Sequence, residues 1–209
     1  LAALSGDAQC IIFVQLCNVL DPGIAVAFGS INSELRALTP ALLQQLRADY
    51  EVATALCRKA GLRSCKALRK AKLVYGPCYL SAADLALLGT LGSVLPALEQ
   101  LTLTEPAAGP DGMQRLAEKL GAGALPAVNY LEIYSTHVGD AGASALAAAL
   151  GRGALPRLEH LVLDDTAIGD AGLVALAPAL RRLPALESLY LWGNPFGDEG
   201  LAALVAPPP

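Results

Sequence analysis

The sequence has few aromatic and charged residues, and it lacks the motifs that mark many enzymes and metal sites. No apolar run approaches the roughly 18 residues of a membrane span, and the densest one, at residues 10–17, is too short. Neither a Gly-x-Ser-x-Gly elbow, a phosphate-binding loop nor a His-Glu-x-x-His motif occurs. We therefore expect no membrane span, no catalytic residue, no metal and no cofactor.

The five cysteines, at positions 10, 17, 57, 65 and 78, are odd in number and include no Cys-x-x-Cys pair. The chain also lacks an Asn-x-Ser/Thr sequon and a basic segment before its first apolar stretch. These features favour free buried thiols in an intracellular protein, cytoplasmic or nuclear. The chain begins with Leu1 rather than Met, which is typical of a fragment and leaves open a removed leader and a continuation beyond Pro209.

One block of residues occurs four times between residues 96 and 206. It begins Pro96-Ala-Leu-Glu-Gln-Leu-Thr-Leu and returns at Pro126, Pro156 and Pro184, with spacings of 30, 30 and 28 residues. Three copies contain Leu-x-x-Leu-x-Leu, and the second contains Val128-x-x-Leu131-x-Ile133. This alternating pattern predicts a short strand with one buried face. A fixed period in this range indicates a solenoid, whose units bury their apolar faces against one another.

A helix is predicted in the second half of each copy. Glycine lies eleven residues after the middle strand leucine, and leucine lies fifteen after it: Gly112, Gly142, Gly172 and Gly200, then Leu116, Leu146, Leu176 and Leu204. In three copies an aspartate two residues before the glycine is expected to cap its own helix, namely Asp140, Asp170 and Asp198. Pro110 takes this position in the first copy and suits a first helical turn.

This strand, turn and helix pattern resembles the leucine-rich repeat family, in particular its ribonuclease-inhibitor type. The resemblance implies an α/β fold: a right-handed solenoid with a curved parallel sheet, helices on its convex side, and partner binding on its concave side. One departure concerns the family's turn asparagine, which remains only at Asn194. Thr136, Thr166 and Pro106 replace it, so we expect looser or differently bonded turns in the first three copies.

The domain prediction has two parts. Residues 1–80 form a helical amino-terminal region, and residues 81–209 form the solenoid. Within the solenoid, residues 81–95 are the helical half of a repeat whose strand is lost or degenerate. The full repeats are 96–125, 126–155, 156–183 and 184–206.

Helices are predicted over much of residues 9–75, with breaks at Asp21-Pro22-Gly23 and Gly61. Thr39 is expected to cap a long helix that Pro40 begins, and a further helical run is expected over residues 65–74. Residues 13–22 are similar to the middle of an F-box, where a leucine-rich helix ends in Leu-Asp-Pro, although the usual Leu-Pro start and a Trp in the third helix are missing. The alternative is a plain helical cap over the open end of the solenoid.

Side chains between the strand leucines should point to solvent, because strand side chains alternate. Four of the ten aromatic residues fall in the twelve outward positions of the four strands. Exposed Tyr and Trp are typical of binding hot spots. The predicted partner-binding residues are therefore Tyr130, Glu132, Tyr134, His160, Val162, Asp164, Ser188, Tyr190 and Trp192.

A Ser–His–Asp arrangement can be drawn from Ser188, His160 and Asp164 on neighbouring strands, which lie about 4.8 Å apart. It lacks a nucleophile elbow, an oxyanion donor and an enclosed pocket. We therefore do not expect an enzyme, and His137 is interpreted as a loop residue.

Charge is uneven along the chain. Residues 47–72 contain eight basic and two acidic residues, a net of +6, whereas the whole chain carries −4. A basic docking face is predicted from Arg58, Lys59, Arg63, Lys66, Arg69, Lys70 and Lys72, the alternative being a solvated helix surface. Nucleic acid is an unlikely partner, because Tyr50 and Tyr75 are the only rings interleaved with these charges.

The function best supported by the sequence is non-catalytic recognition of a protein or peptide. Two alternatives remain open: a substrate-receptor subunit of a ubiquitin ligase, with residues 9–40 binding an adaptor, and a structural subunit of a larger assembly. The oligomeric state is not determined by the sequence.

Overall fold

The computed structural model describes residues 17–30, 40–76, 80–104 and 109–206. Residue contacts divide the chain into two compact units, Leu1–Leu68 and Arg69–Pro209. The helices are α1 (Gly23–Gly29), α2 (Pro40–Lys59), α3 (Cys65–Lys70), α4 (Ala82–Leu91), α5 (Pro110–Lys119), α6 (Gly139–Gly151), α7 (Asp170–Leu180) and α8 (Asp198–Val205). The strands are β1 (Leu73–Gly76), β2 (Gln100–Thr104), β3 (Tyr130–Tyr134), β4 (His160–Val162) and β5 (Ser188–Tyr190).

The described part of the first unit is helical. Helix α2 begins at Pro40 as predicted, since a proline has no N–H to lose in a first turn. Gly61 follows the helix with a positive φ of 70°, the conformation that glycine adopts at low cost. Phe28 and Leu46 share a small buried core between α1 and α2.

Several predictions for the amino-terminal region fall outside the described residues. These are the Thr39 cap, most of the helix at residues 10–20, and the first four residues of the F-box-like segment at residues 13–22. Residues 17–22, which are described, form a turn rather than the end of a helix. In that turn the Asp21 N–H donates to the Asn18 carbonyl at 3.0 Å.

The second unit contains a five-stranded parallel sheet in the order β1-β2-β3-β4-β5. Each strand is held to the next at its start by a shared carbonyl oxygen. The Asn129 carbonyl, for example, accepts from the N–H groups of Glu159 and His160, both at 2.8 Å. The same arrangement occurs at the other strand pairs, where two consecutive N–H groups donate to the carbonyl of Lys72, Glu99 or Glu159.

Strand β1 corrects the sequence prediction at residues 65–74. The helix there ends at Lys70, and Leu73–Gly76 pairs in register with Gln100 to Leu103 of β2. Val74 is 4% exposed, whereas Leu73 and Tyr75 are each 51% exposed, so burial follows the two-residue period of a strand. The half repeat predicted at residues 81–95, whose helix is α4, therefore has a strand, which is β1. This strand lies within residues 1–80, which the sequence assigned to the helical amino-terminal region.

The repeated leucines form the core as predicted in the first three copies. Leu101, Leu131 and Leu161 on the strands and Leu116, Leu146 and Leu176 on the helices are all at most 2% exposed. Burying one such side chain contributes about 1.5–3 kcal/mol, so this shared core is the main source of cohesion between repeats. In the fourth copy Leu189 and Leu204 are only half-buried.

The aspartates at the helix starts act on a different helix from the one predicted. Asp140 Oδ1 accepts from the backbone N–H groups of Gly169 and Gly172 at 2.7 and 3.0 Å, at the start of α7. Asp170 Oδ1 accepts in the same way from Gly197 and Gly200, at the start of α8. Each carboxylate therefore caps the helix of the following repeat.

Close packing also explains why glycine recurs at the helix starts of successive repeats. A Cβ on Gly172 would lie 2.7 Å from Asp140 Oδ1, and one on Gly200 would lie 2.8 Å from Asp170 Oδ1. These distances are too short for carbon and oxygen that are not bonded. Glycine is thus required where the carboxylate of one repeat reaches the helix start of the next.

The turns are bonded differently from repeat to repeat, as predicted for the third copy. Asn194 Oδ1 accepts from the Thr166 and Ile168 N–H groups, at 3.2 and 2.9 Å, and its Nδ2 donates to the Leu163 carbonyl at 2.6 Å. The asparagine of the fourth repeat thus stabilises the turn of the third. Thr136 is 1% exposed, and its hydroxyl finds no partner among the described residues; Pro106 lies outside them.

Candidate partner-binding face

The parallel register aligns the outward residues of successive repeats on one side of the sheet, called the open face below. Two columns cross it: Gln100, Tyr130, His160 and Ser188, and beside them Thr102, Glu132, Val162 and Tyr190. Asp164 and Trp192 follow the ends of β4 and β5, and the Trp192 N–H donates to Asp164 Oδ1 at 2.7 Å. The strand leucines are buried in the core on the other side of the sheet.

A cleft of about 520 Å³ lies on the open face. Nine residues line it: Gln100, Asn129, Tyr130, Glu132, Glu159, His160, Val162, Asp164 and Tyr190. Six of these were predicted from the sequence as partner-binding residues. Val162 is only 7% exposed, so it forms part of the floor of the cleft and not an accessible contact.

Three carboxylates line this cleft, those of Glu132, Glu159 and Asp164. The Thr102 hydroxyl donates to Glu132 Oε2 at 3.1 Å, which fixes that side chain toward β2. The cleft lining contains no Lys or Arg, and within the described ranges none of the three carboxylates forms an ion pair. The cleft is therefore anionic and has no neutralising cation of its own.

Two rings stand together in the cleft. The Tyr130 and His160 ring centroids are 5.9 Å apart and tilted by 50°, within the range of favourable aromatic pairs. Partial burial raises the pKa of the Tyr130 hydroxyl, and the negative charges of Glu132 and Asp164, together with Tyr190, raise it further. A further negative charge is thus disfavoured in this cleft, and a positive charge is favoured.

The most exposed rings lie at the β5 side of the open face. Tyr190 is 51% exposed and Trp192 is 74% exposed. Trp192 is attached to the cleft wall through its backbone bond to Asp164. A large indole left this open to water is costly for the isolated chain and is typical of a contact surface.

At the other side of the face, Tyr75 and Tyr134 cover β2. Their hydroxyl oxygens are 3.3 Å apart, although their strands lie on either side of β2. Thr102 and Thr104 beneath them are 5% and 7% exposed. The prediction that all outward positions face solvent is therefore wrong at these two threonines, because the tyrosine pair covers them.

Besides Gln100, which is an outward strand position but was not a predicted contact, sequence reasoning missed three residues of this face. Tyr75 was overlooked because β1 was taken as helix, although the alternation Leu73, Val74, Tyr75 was a signal for a strand. Asn129 and Glu159 precede their strands by one residue and were not considered. A polar residue at that position in every copy, Glu99, Asn129, Glu159 and Glu187, was the available sign.

The Ser188, His160 and Asp164 arrangement has no catalytic geometry. Ser188 pairs with His160 in the strand register, but no hydrogen bond joins their side chains within the part of the chain that the structure describes. Asp164 Oδ1 is occupied by the Trp192 N–H. His160 instead contacts the Tyr130 ring.

The predicted basic docking residues are divided between the two units. Arg58, Lys59, Arg63 and Lys66 lie in the first unit, while Arg69, Lys70 and Lys72 lie in the second. Lys72 Nζ donates to Glu99 Oε1 at 2.8 Å, and this bond raises the pKa of the lysine. Lys72 is therefore already paired within its own unit.

Neither a metal site nor a membrane helix is found in the described ranges. No group of three or more His, Cys, Asp or Glu residues there is placed to hold a metal ion. None of the helices described combines the length and the apolar character needed to cross a membrane. Cys17, Cys57 and Cys65 are free thiols.

Comparison with known families supports the repeat assignment. A family model described as Leucine Rich repeat matches residues 155–177 and 183–205, the third and fourth copies of the sequence block. Residues 155–205 thus contain two leucine-rich repeats, and repeats of this kind are generally protein-interaction modules. No curated protein matches the chain.

Proposed function

We propose that this protein is a non-catalytic recognition module that binds a protein or peptide on the open face of its sheet. The observation that carries the proposal is the exposure of Tyr190 and Trp192, at 51% and 74%. They lie beside a cleft lined by three carboxylates that form no ion pair with any described residue. Exposed rings next to fixed polar groups are the composition of binding hot spots.

The proposal includes the shape of the repeat stack. Neighbouring strands lie about 4.8 Å apart, whereas packed helices lie about 8–10 Å apart. A stack with strands on one side and helices on the other therefore curves with its strands inside, as in a right-handed solenoid of the ribonuclease-inhibitor type. The open face would then be concave and could surround a partner.

The thiols support an intracellular location. Cys57 Sγ and Cys65 Sγ lie 3.8 Å apart, close enough to be oxidised to a disulfide outside a reducing compartment. The ubiquitin-ligase alternative depends on residues 9–40, most of which lie outside the described ranges, so it stays a prediction. The structural-subunit alternative likewise stays a prediction.

The test compares two double variants that each remove two exposed apolar side chains. Tyr190→Ala with Trp192→Ala removes rings from the open face, and Val174→Ala with Leu201→Ala removes side chains that are 43% and 50% exposed on α7 and α8. Circular dichroism establishes that both fold. We expect capture of a partner from lysate of the source cells to fall at least about tenfold in the face variant alone.

Equal capture by the face variant and the unmodified chain would contradict the proposal. Loss in the helix variant alone would place recognition on the opposite surface. Quantitative mass spectrometry of the captured proteins provides the measurement.

A further inference from the structure

We infer that the cleft of the open face binds an arginine side chain presented by a basic segment of the partner protein. The inference rests on the proposed function and adds the chemistry of the partner to it. Its basis is the combination, within one cleft, of the Tyr130 and His160 ring pair with the carboxylates of Glu132, Glu159 and Asp164.

Charge is the first argument. Three carboxylates share this cleft, and no lysine or arginine of the described residues pairs with them. Elsewhere in the same unit, the exposed Glu99 and Asp111 carboxylates do have cations, Lys72 at 2.8 Å and Arg115 at 3.0 Å. A cation of the partner would thus neutralise carboxylates that the described residues leave without one.

The effect of these charges on Tyr130 supports the same conclusion. Glu132 and Asp164 both raise the pKa of the Tyr130 hydroxyl by their negative charge, so both carboxylates lie near that ring. A guanidinium held there would meet acidic oxygens and an aromatic surface at the same time.

Shape and chemistry favour arginine over lysine. The guanidinium group is planar, so it can stack on the Tyr130 or His160 ring while its N–H groups donate to carboxylate oxygens. A lysine ammonium is a compact and strongly hydrated charge that gains less from stacking. The cleft volume of about 520 Å³ is within the range of sites that hold one or two side chains of this size.

Two charge variants of matched chemistry test the inference. Glu132→Gln with Glu159→Gln removes two cleft charges and keeps the oxygen that accepts from Thr102. Glu118→Gln with Glu199→Gln removes two charges from α5 and α8 on the helix side. Asp164 is left unchanged, because its carboxylate also holds the Trp192 backbone.

The probe is a short peptide, acetyl-Gly-Ser-Arg-Gly-Arg-Ser-Gly-amide, compared with peptides in which lysine or citrulline replaces both arginines. Citrulline keeps the planar shape of arginine without its charge. Isothermal titration calorimetry gives Kd, and the fluorescence of Trp192, the only tryptophan, gives an independent signal next to the cleft.

We expect the arginine peptide to bind the unmodified protein and the helix-side variant equally. Its Kd should rise about tenfold in the cleft variant, as each lost charge-assisted contact costs a factor of a few. The lysine peptide should bind more weakly, and the citrulline peptide at least about tenfold more weakly. Raising the salt from 50 to 500 mM should weaken arginine binding further.

Several results would overturn the inference: no binding of the arginine peptide, equal binding of the citrulline peptide, or equal Kd in the cleft and helix-side variants. Captured partners that depend on Tyr190 and Trp192 but not on Glu132 and Glu159 would also overturn it while leaving the proposed function intact. A dimer that dissociates only in the cleft variant would place a second copy in the cleft and contradict a separate partner.

Discussion

At the scale of single residues, Cys57 and Cys65 form a buried pair of thiols outside the open face. Both are 1% exposed, and their sulfur atoms are 3.8 Å apart. Burial raises the pKa of the Cys57 thiol to about 12, and the neighbouring Cys65 raises it as well. The thiolate is the reactive form of cysteine. Cys57 is therefore protected from reagents because it is buried and because its thiol stays protonated.

Both thiols should resist alkylation in the folded protein. At pH 8 the native chain should react with iodoacetamide at Cys57 at least about a hundredfold more slowly than the chain in urea, since a pKa rise of three units lowers the thiolate fraction about a thousandfold. Mass spectrometry of the Cys57 peptide with and without urea measures the ratio. Labelling at the same rate in both conditions would show that the pair is not buried as described.

The same shift sets the direction of a pH effect on stability. Above about pH 9 the unfolded thiol loses its proton, whereas the folded Cys57 keeps it until about pH 12. Unfolding therefore releases a proton in this window. The contribution of Cys57 to stability is fully present below pH 9 and declines as the pH rises from 9 to 12.

At the scale of helices, several helix ends are capped by side chains from neighbouring repeats. Asp140 and Asp170 cap the starts of α7 and α8. Arg152 Nη2 donates to the Ala117 carbonyl at 2.7 Å at the end of α5, and Arg181 Nη1 donates to the Ala206 carbonyl at 2.8 Å at the end of α8. These bonds place negative charge at helix starts and positive charge at helix ends, which the peptide dipoles favour. They also couple one repeat to another.

Removing one of these caps should destabilise the repeat interface. Asp140→Ala leaves the Gly169 and Gly172 N–H groups without their acceptor, so the free energy of unfolding should fall by about 1–2 kcal/mol. Asp198→Ala is the matched control, because Asp198 accepts no hydrogen bond from any described residue, and its effect should stay within about 0.5 kcal/mol. Urea denaturation followed by circular dichroism measures both.

Equal losses in the two variants would contradict this assignment of the caps. A loss in Asp198→Ala that exceeds the loss in Asp140→Ala would favour the original prediction, in which each aspartate caps its own helix.

The sequence predicted the strands, helices and glycine positions of the four copies because their spacing repeats. It could not predict the partner of Asp140, since an aspartate near a helix start looks the same whether it caps its own helix or the next one. Tyr75 was missed for a related reason: β1 has four residues, and helical sequence precedes it. Glu159 was missed because the alternation rule counts only positions inside a strand.

At the scale of the whole molecule, the charges and rings are distributed unevenly. The net charge of +6 falls within residues 47–72, so the remaining residues carry a net negative charge. Part of that negative charge lines the cleft of the open face, and the only tryptophan stands beside it. A partner with positive charge and apolar surface would complement both features.

The central claim is that a partner covers this face, and Trp192 reports on it directly. Its indole is 74% exposed, so free protein should show a red-shifted emission that acrylamide quenches readily. The decisive measurement is the same quenching in the complex with the captured partner, using a partner from which tryptophan has been removed. We predict a blue-shifted emission and a quenching constant that falls at least about twofold, as expected when an exposed ring becomes buried in an interface. An emission and a quenching constant that stay unchanged in a saturated complex would contradict the claim.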